Sequence, residues 1–248
     1  MQEIKIPHHG RRIDGIVYRP EGDDRFPVVI FSHGFNGHQS DFGHITQLLA
    51  DSGIGSVCFN FCGGGLRDTS GFSTTKMSLL TERDDLFAVL DEVRYWDWVD
   101  ADHIYLFGAS QGGMVSALVA EKREEQIKAM MLLYPAFCIA DDWQKRFPTK
   151  EDVPEQIVLW DVPLGRTYFD AVRNFRIDEQ TGKFTRPVLI MHGTEDGVVP
   201  IAYSEQAVGR YSDARLEVFP GEGHGFTPDG DKRVAEMVLD FVRKQEEG

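Results

Sequence analysis

Six short runs of this chain are apolar almost without interruption: FPVVIFSHG, GSVCFNFCGGG, HIYLFGAS, IKAMMLLYP, RPVLIMHG and RLEVFPG. A strand with one face in water alternates apolar and polar residues, so such runs belong to strands covered on both faces. Between them lie segments of helical periodicity, predicted over Asp41 to Asp51, Ser78 to Trp96, Gln111 to Lys122 and Asp231 to Lys244. In the second of these, Leu79, Leu80, Leu86, Phe87, Leu90 and Val93 make the apolar side. This alternation points to an α/β chain with a mostly parallel sheet and helices on both faces. The opening stretch, Glu3 to Arg19, turns about a His-Gly pair and reads as an antiparallel hairpin. A single domain over residues 1–248, on a central sheet of about eight strands, is the expectation.

One segment breaks the rhythm. From about Pro135 to Arg186, some 50 residues separate two strands that an ordinary crossover joins in fewer. The insert carries Phe137, Trp143, Phe147, Trp160, Tyr168, Phe169 and Phe175 among many charges. It reads either as a surface excursion with a small core of its own or as a lid. The lid is the expectation, because loops at the carboxyl ends of parallel strands surround the ligand crevice.

Composition narrows the partners. Forty acidic residues against 26 basic ones give a net charge of −14, a field that repels nucleic acid and anionic membrane surfaces. No run approaches the ~20 apolar residues of a bilayer span, and the N-terminus, MQEIKIPHHGRR, lacks the apolar core of a secretion signal. A cytoplasmic protein is expected, with room left for a homodimer. Three cysteines without such a signal argue for reduced thiols. Cys58 and Cys62, in an extended run, fall about 13 Å apart and beyond disulfide reach. With no CxxC and no HExxH, neither a metal nor a cofactor is expected.

The chemistry gathers at three loops. Gly108-Ala-Ser110-Gln-Gly112 matches G-x-S-x-G, directly after the strand HIYLF and before a small-residue helix start. That setting strains the turn, exposes Ser110 and puts it at a helix N-terminus that favours developing negative charge. A serine hydroxyl needs a base, and His224 in the glycine-rich FPGEGHGF loop is the candidate. The seven other histidines have plainer roles: His33 and His192 each end a strand as His-Gly and read as loop braces. Asp196, in MHGTEDGVVP beyond the strand RPVLIMHG, is the acid for the base, with Glu195 next to it as the alternative. The oxyanion needs two donors, expected from the Gln111 backbone N–H and from Phe35 in His33-Gly-Phe35-Asn-Gly37.

SHGFNG, GASQGG, HGTEDGVVP and GEGHGF, in this order and spacing, resemble the α/β-hydrolase superfamily over nearly the whole chain. Within it the chain resembles the small bacterial cinnamoyl and feruloyl esterases, through its length, hairpin, single insert after YPAF and acid loop. The resemblance implies an α/β-hydrolase fold and a serine carboxylic-ester hydrolase acting on small-molecule esters of hydroxycinnamate type. It also implies that Asp142, in IADDW, and Tyr168, in GRTYF, bind the phenolic end of the substrate. The FCGGGLRD segment departs from the asparagine- or arginine-containing loop usual there. An alkyl esterase, a thioesterase or a small peptidase on the same scaffold is the alternative, and a ligand-binding receptor with little turnover is a further one.

Overall fold

The computed structural model describes residues 1–247. The chain opens with β1 (Gln2–His8), β2 (Arg11–Tyr18) and β3 (Phe26–Ser32), followed by α1 (Gly43–Ala50), β4 (Gly55–Phe59) and α2 (Leu79–Val93). β5 (Val99–Ala109), α3 (Gln111–Ala120) and β6 (Ala129–Leu133) come next. The insert holds α4 (Ile139–Arg146), β7 (Gln156–Leu159), β8 (Val162–Gly165), α5 (Arg166–Val172) and α6 (Ile177–Gln180). β9 (Val188–Gly193), α7 (Ala202–Val208), β10 (Ala214–Phe219) and α8 (Pro228–Glu246) complete the chain.

Among the described residues, eight strands form one sheet in the order β1-β2-β4-β3-β5-β6-β9-β10. The β1–β2 and β2–β4 pairs are antiparallel, and from β4 to β10 every neighbour is parallel. The pattern explains the apolar runs. On β3, Val28 and Ile30 pack against α2 and α3, while Val29 and Phe31 pack against α1 and α8. On β5, Ile104 and Leu106 face the first layer, Tyr105 and Phe107 the second. Each such side chain contributes roughly 1.5–3 kcal/mol by leaving water, so both faces need apolar residues.

Helix ends differ from the apolar period by up to three residues. α1 starts at Gly43, two residues after the predicted Asp41. The Asp41 carboxylate instead accepts from the His38 amide at 2.7 Å and pairs with Arg67 at 3.0 Å. α8 starts at Pro228, three residues before the predicted Asp231. Thr227 Oγ1 accepts from the Gly230 amide at 3.2 Å, and proline in the first turn loses no helical hydrogen bond. α2 ends at Val93 rather than Trp96, and α3 at Ala120 rather than Lys122.

Residues 135–186 build a small core of their own, from Val153, Val162, Leu164, Tyr168 and Phe169, closed on the main body by Met77. β7 and β8 are joined by Trp160 and Asp161 at φ 47° and 65°. Two residues of positive φ are what a tight hairpin requires to match strand twist. No helix among the described residues is long and apolar enough to cross a membrane. Cys58, Cys62 and Cys138 are buried free thiols.

Candidate active site

Phe35, Ser110, Asp196 and His224 lie in the loops that leave β3, β5, β9 and β10. Those strands are parallel and in register, so their carboxyl ends share one edge of the sheet. Four residues spread over 190 positions are thereby gathered at one place.

Ser110 has φ 53° and ψ −120°, a strained conformation for a residue with a Cβ. Its amide donates to Leu133 O at 2.9 Å, and its carbonyl accepts from Ala136 at 2.9 Å and Gly113 at 3.0 Å. Glycine is required on either side. A Cβ at Gly112 would collide with the carbonyls of Ser32 and His33, and one at Gly108 with Gly112 O. Close packing of β3, β5 and α3 therefore holds the strain.

Ser110 Oγ lies 2.9 Å from His224 Nε2, and His224 Nδ1 lies 2.8 Å from Asp196 Oδ2. A carboxylate can only accept, so Nδ1 carries the proton; Nε2 of the neutral ring then accepts from the serine hydroxyl. The Asp196 side chain is closed to solvent, whereas His224 stays 18% exposed and open to a substrate. Asp196 Oδ1 accepts from the amides of Val198 and Val199 at 2.9 and 2.8 Å. His192 Nε2 reaches Val199 O at 2.9 Å and Asp196 Oδ2 at 3.2 Å, and its Nδ1 accepts from Ser204 at 2.7 Å. Burial lowers the His192 pKa and keeps it a neutral brace. Glu195 is exposed and stands outside this chain of bonds.

Phe35 and Gln111 present backbone amides with no backbone acceptor among the described residues. The Phe35 loop is held by its neighbours. His33 Nδ1 donates to Gly34 O at 2.7 Å while Nε2 accepts from the Phe61 amide at 3.1 Å. Burial lowers the His33 pKa to about 4, so the ring is neutral and keeps both bonds. Asn36, at φ 57°, donates its amide to Gly64 O at 2.9 Å and accepts from Leu66 at 2.9 Å through Oδ1. The unusual FCGGGLRD segment thus braces the Phe35 loop, a role not read from the sequence.

Ser110 borders two cavities. One, of about 350 Å³, runs beneath the insert and is lined by Gln111, Asp142, Trp143, Arg146, Trp160 and Tyr168 among others. The other, of about 320 Å³, lies beside His224 and is lined by Asp41, His44, Tyr134 and Asp231 among others. Asp142 is exposed. Tyr168 is buried, and its hydroxyl donates to Gln111 Oε1 at 2.6 Å. Gln111 Nε2 in turn donates to both oxygens of Glu82, at 2.9 and 2.8 Å. Sequence reasoning missed Glu82, Arg146 and the placement of Trp160 edge-on to Phe35 at 5.8 Å. Only the aromatic content of the insert signalled any of them. Among the described residues no cluster of three or more His, Cys, Asp or Glu side chains could hold a metal ion.

The model of the prolyl oligopeptidase family matches residues 40–247. The chain belongs to that family. Among solved structures, the chain is similar to Est1E from Butyrivibrio proteoclasticus with ferulic acid bound. The two share 27% identity at a TM-score of 0.89, over 99% of this chain and 100% of that one. The architecture is accordingly the α/β-hydrolase fold. A monoacylglycerol lipase of Mycolicibacterium smegmatis is 24% identical, over 94% of this chain and 92% of that one. A putative carbamate hydrolase, RutD, of a Caulobacter strain is 29% identical over 119 residues; the match covers 47% of this chain and 44% of that protein.

Proposed function

We propose that this chain hydrolyses carboxylic esters through an acyl-enzyme on Ser110, and that its acyl groups are of hydroxycinnamoyl type. The continuous hydrogen-bond chain from Ser110 through His224 to Asp196 carries the reading. Similarity over whole chains to Est1E, which was solved with ferulic acid bound, supports it.

Ser110 Oγ attacks the ester carbonyl carbon as its proton passes to His224 Nε2. Asp196 stabilises the resulting imidazolium and keeps the ring oriented. The carbonyl oxygen, now an anion, accepts from the amides of Phe35 and Gln111; loss of one such donor costs about 2.7–4 kcal/mol. Collapse of the intermediate expels the alcohol, which takes the proton from His224. A water molecule then gives its proton to His224 and attacks the acyl-enzyme, releasing the acid and freeing Ser110. No step requires a cofactor.

The insert, residues 135–186, acts as the lid, and the cavity beneath it holds the acyl group. Trp143 and Trp160 offer aromatic walls to a planar acyl chain. Asp142 accepts from a phenolic hydroxyl. Tyr168, whose hydroxyl already donates to Gln111 Oε1, lines the same phenol-binding end of the cavity. A panel of methyl esters tests this, with hydroxycinnamates against acetate and butyrate. The reading expects higher kcat/KM for the hydroxycinnamates; equal or lower values would refute the acyl assignment. The family match favours peptide or amide cleavage as the second reading. Hydrolysis of an aminoacyl anilide faster than the corresponding ester would favour it.

A further inference from the structure

Gln111 brings to the site a side chain as well as an amide, and that side chain is gripped at both ends. Its Nε2 donates to Glu82 Oε1 and Oε2 at 2.9 and 2.8 Å, and its Oε1 accepts from the Tyr168 hydroxyl at 2.6 Å. Glu82, Gln111 and Tyr168 are 1%, 2% and 2% exposed. The three come from α2, the first position of α3 and α5 of the insert. An amide at the start of a helix has no intrahelical partner, so its direction depends on what fixes the residue bearing it.

We propose that Glu82 is a positioning residue: by gripping the Gln111 carboxamide it aims the Gln111 N–H at the oxyanion and docks Tyr168, with the insert, at the same point. This rests on the reading of Gln111 as an oxyanion donor.

The groups facing Glu82 include no cation. Gln111 and the Tyr168 hydroxyl are neutral, and Asp85, three residues along α2, is a second carboxyl that burial pushes up, to about 7. Arg11 and His8 lie 3.6 and 3.7 Å from Asp85, on the hairpin side. Burial pushes the Glu82 pKa up to about 8. Below that pH the carboxyl is neutral, and Gln111 Nε2 keeps the bond to its carbonyl oxygen in place of the two it makes to the carboxylate. Above it a buried anion stands beside the residue whose amide must bind another anion, which opposes oxyanion formation. The turnover rate is therefore expected to decline as pH rises through about 8, and loss of the decline in Glu82→Gln distinguishes Glu82 from the neighbouring Asp85.

The test is kcat and KM of the full chain and of Glu82→Leu and Glu82→Gln on methyl butyrate, from acid to alkaline pH by proton release. Glu82→Leu loses the grip, and kcat falls by about tenfold, less than removal of a whole oxyanion donor, with KM within about twofold. Glu82→Gln keeps a carbonyl acceptor, so it recovers kcat to within about threefold at neutral pH and lacks the alkaline decline. A Glu82→Leu rate equal to that of the native chain, or a decline near pH 8 that persists in Glu82→Gln, overturns the proposal. Should Glu82→Leu fail to fold, the pH profile of the isosteric variant decides alone. Labelling Ser110 with a fluorophosphonate runs in parallel. A native chain left unlabelled refutes the serine mechanism itself, whereas labelling with an unaltered Glu82→Gln profile refutes only the role of Glu82.

Discussion

The turn around Ser110 and the insert of residues 135–186 face the same cavity but are built by opposite rules. Around Ser110 nothing has room to change. The backbone is strained, Gly108 and Gly112 touch carbonyls of neighbouring elements, and every residue of α3 is buried. The insert has a small core, an exposed Trp160 at its hairpin tip and polar side chains such as Asp142 open to solvent. A catalytic group must be held within a fraction of an ångström, and close packing against a rigid sheet provides this. A cavity wall that selects among substrates tolerates replacement. On the proposed reading, the first region carries the reaction and the second the choice of ester.

The contrast orders the expected effects of substitution. Ser110→Ala should lower kcat by about 10⁶-fold with thermal stability preserved, and adding His224→Ala should cost little more, because the groups act as a unit. Retention of a tenth of native turnover would place the nucleophile elsewhere. Asp196→Asn should lower kcat by about 10⁴-fold through loss of the Nδ1–H tautomer. A nearly native rate there would turn attention to Glu195. Gly112→Ala should destabilise the fold by about 3 kcal/mol, roughly two powers of ten in the folding equilibrium, since its Cβ meets backbone that cannot yield. Denaturant unfolding measures this, and an unchanged midpoint would show the turn to be looser than its packing implies.

Substitutions in the insert should do less and discriminate more. Asp142→Ala should lower kcat/KM for methyl ferulate by roughly five- to thirtyfold, an interaction of about 1–2 kcal/mol, and leave methyl butyrate unaffected. An equal loss on both esters would make Asp142 a support of the lid rather than a ligand of the phenol. Tyr168→Phe should affect both esters, because its hydroxyl is bonded to Gln111.

The same contrast governs what could be read from the chain alone. The sheet was legible because strands covered on both faces demand continuous apolar runs, and the Ser110, Asp196 and His224 loops because each follows such a run with glycine or a turn. Helix starts were less so: the predicted start at Asp41 falls two residues early, where that carboxylate is occupied by His38 and Arg67. The β7–β8 hairpin was not legible, since Trp160 and Asp161 adopt positive φ without the Asn-Gly or Asp-Gly pair that signals such a turn. Nor was the Glu82 grip on Gln111, which joins residues 29 apart in sequence through side chains alone. Local pattern reports what the backbone must do. Contacts between distant side chains leave no local trace.

Covalent trapping at Ser110 tests the account most directly. The native chain, mixed with a slowly deacylating ester and quenched in acid, is digested with trypsin, and the peptide from Tyr95 to Lys122 is weighed and fragmented. The account predicts the mass of one acyl group on that peptide, located at Ser110 and absent from Ser110→Ala. Turnover with no acyl group on this peptide, or an acyl group on another residue, would contradict it.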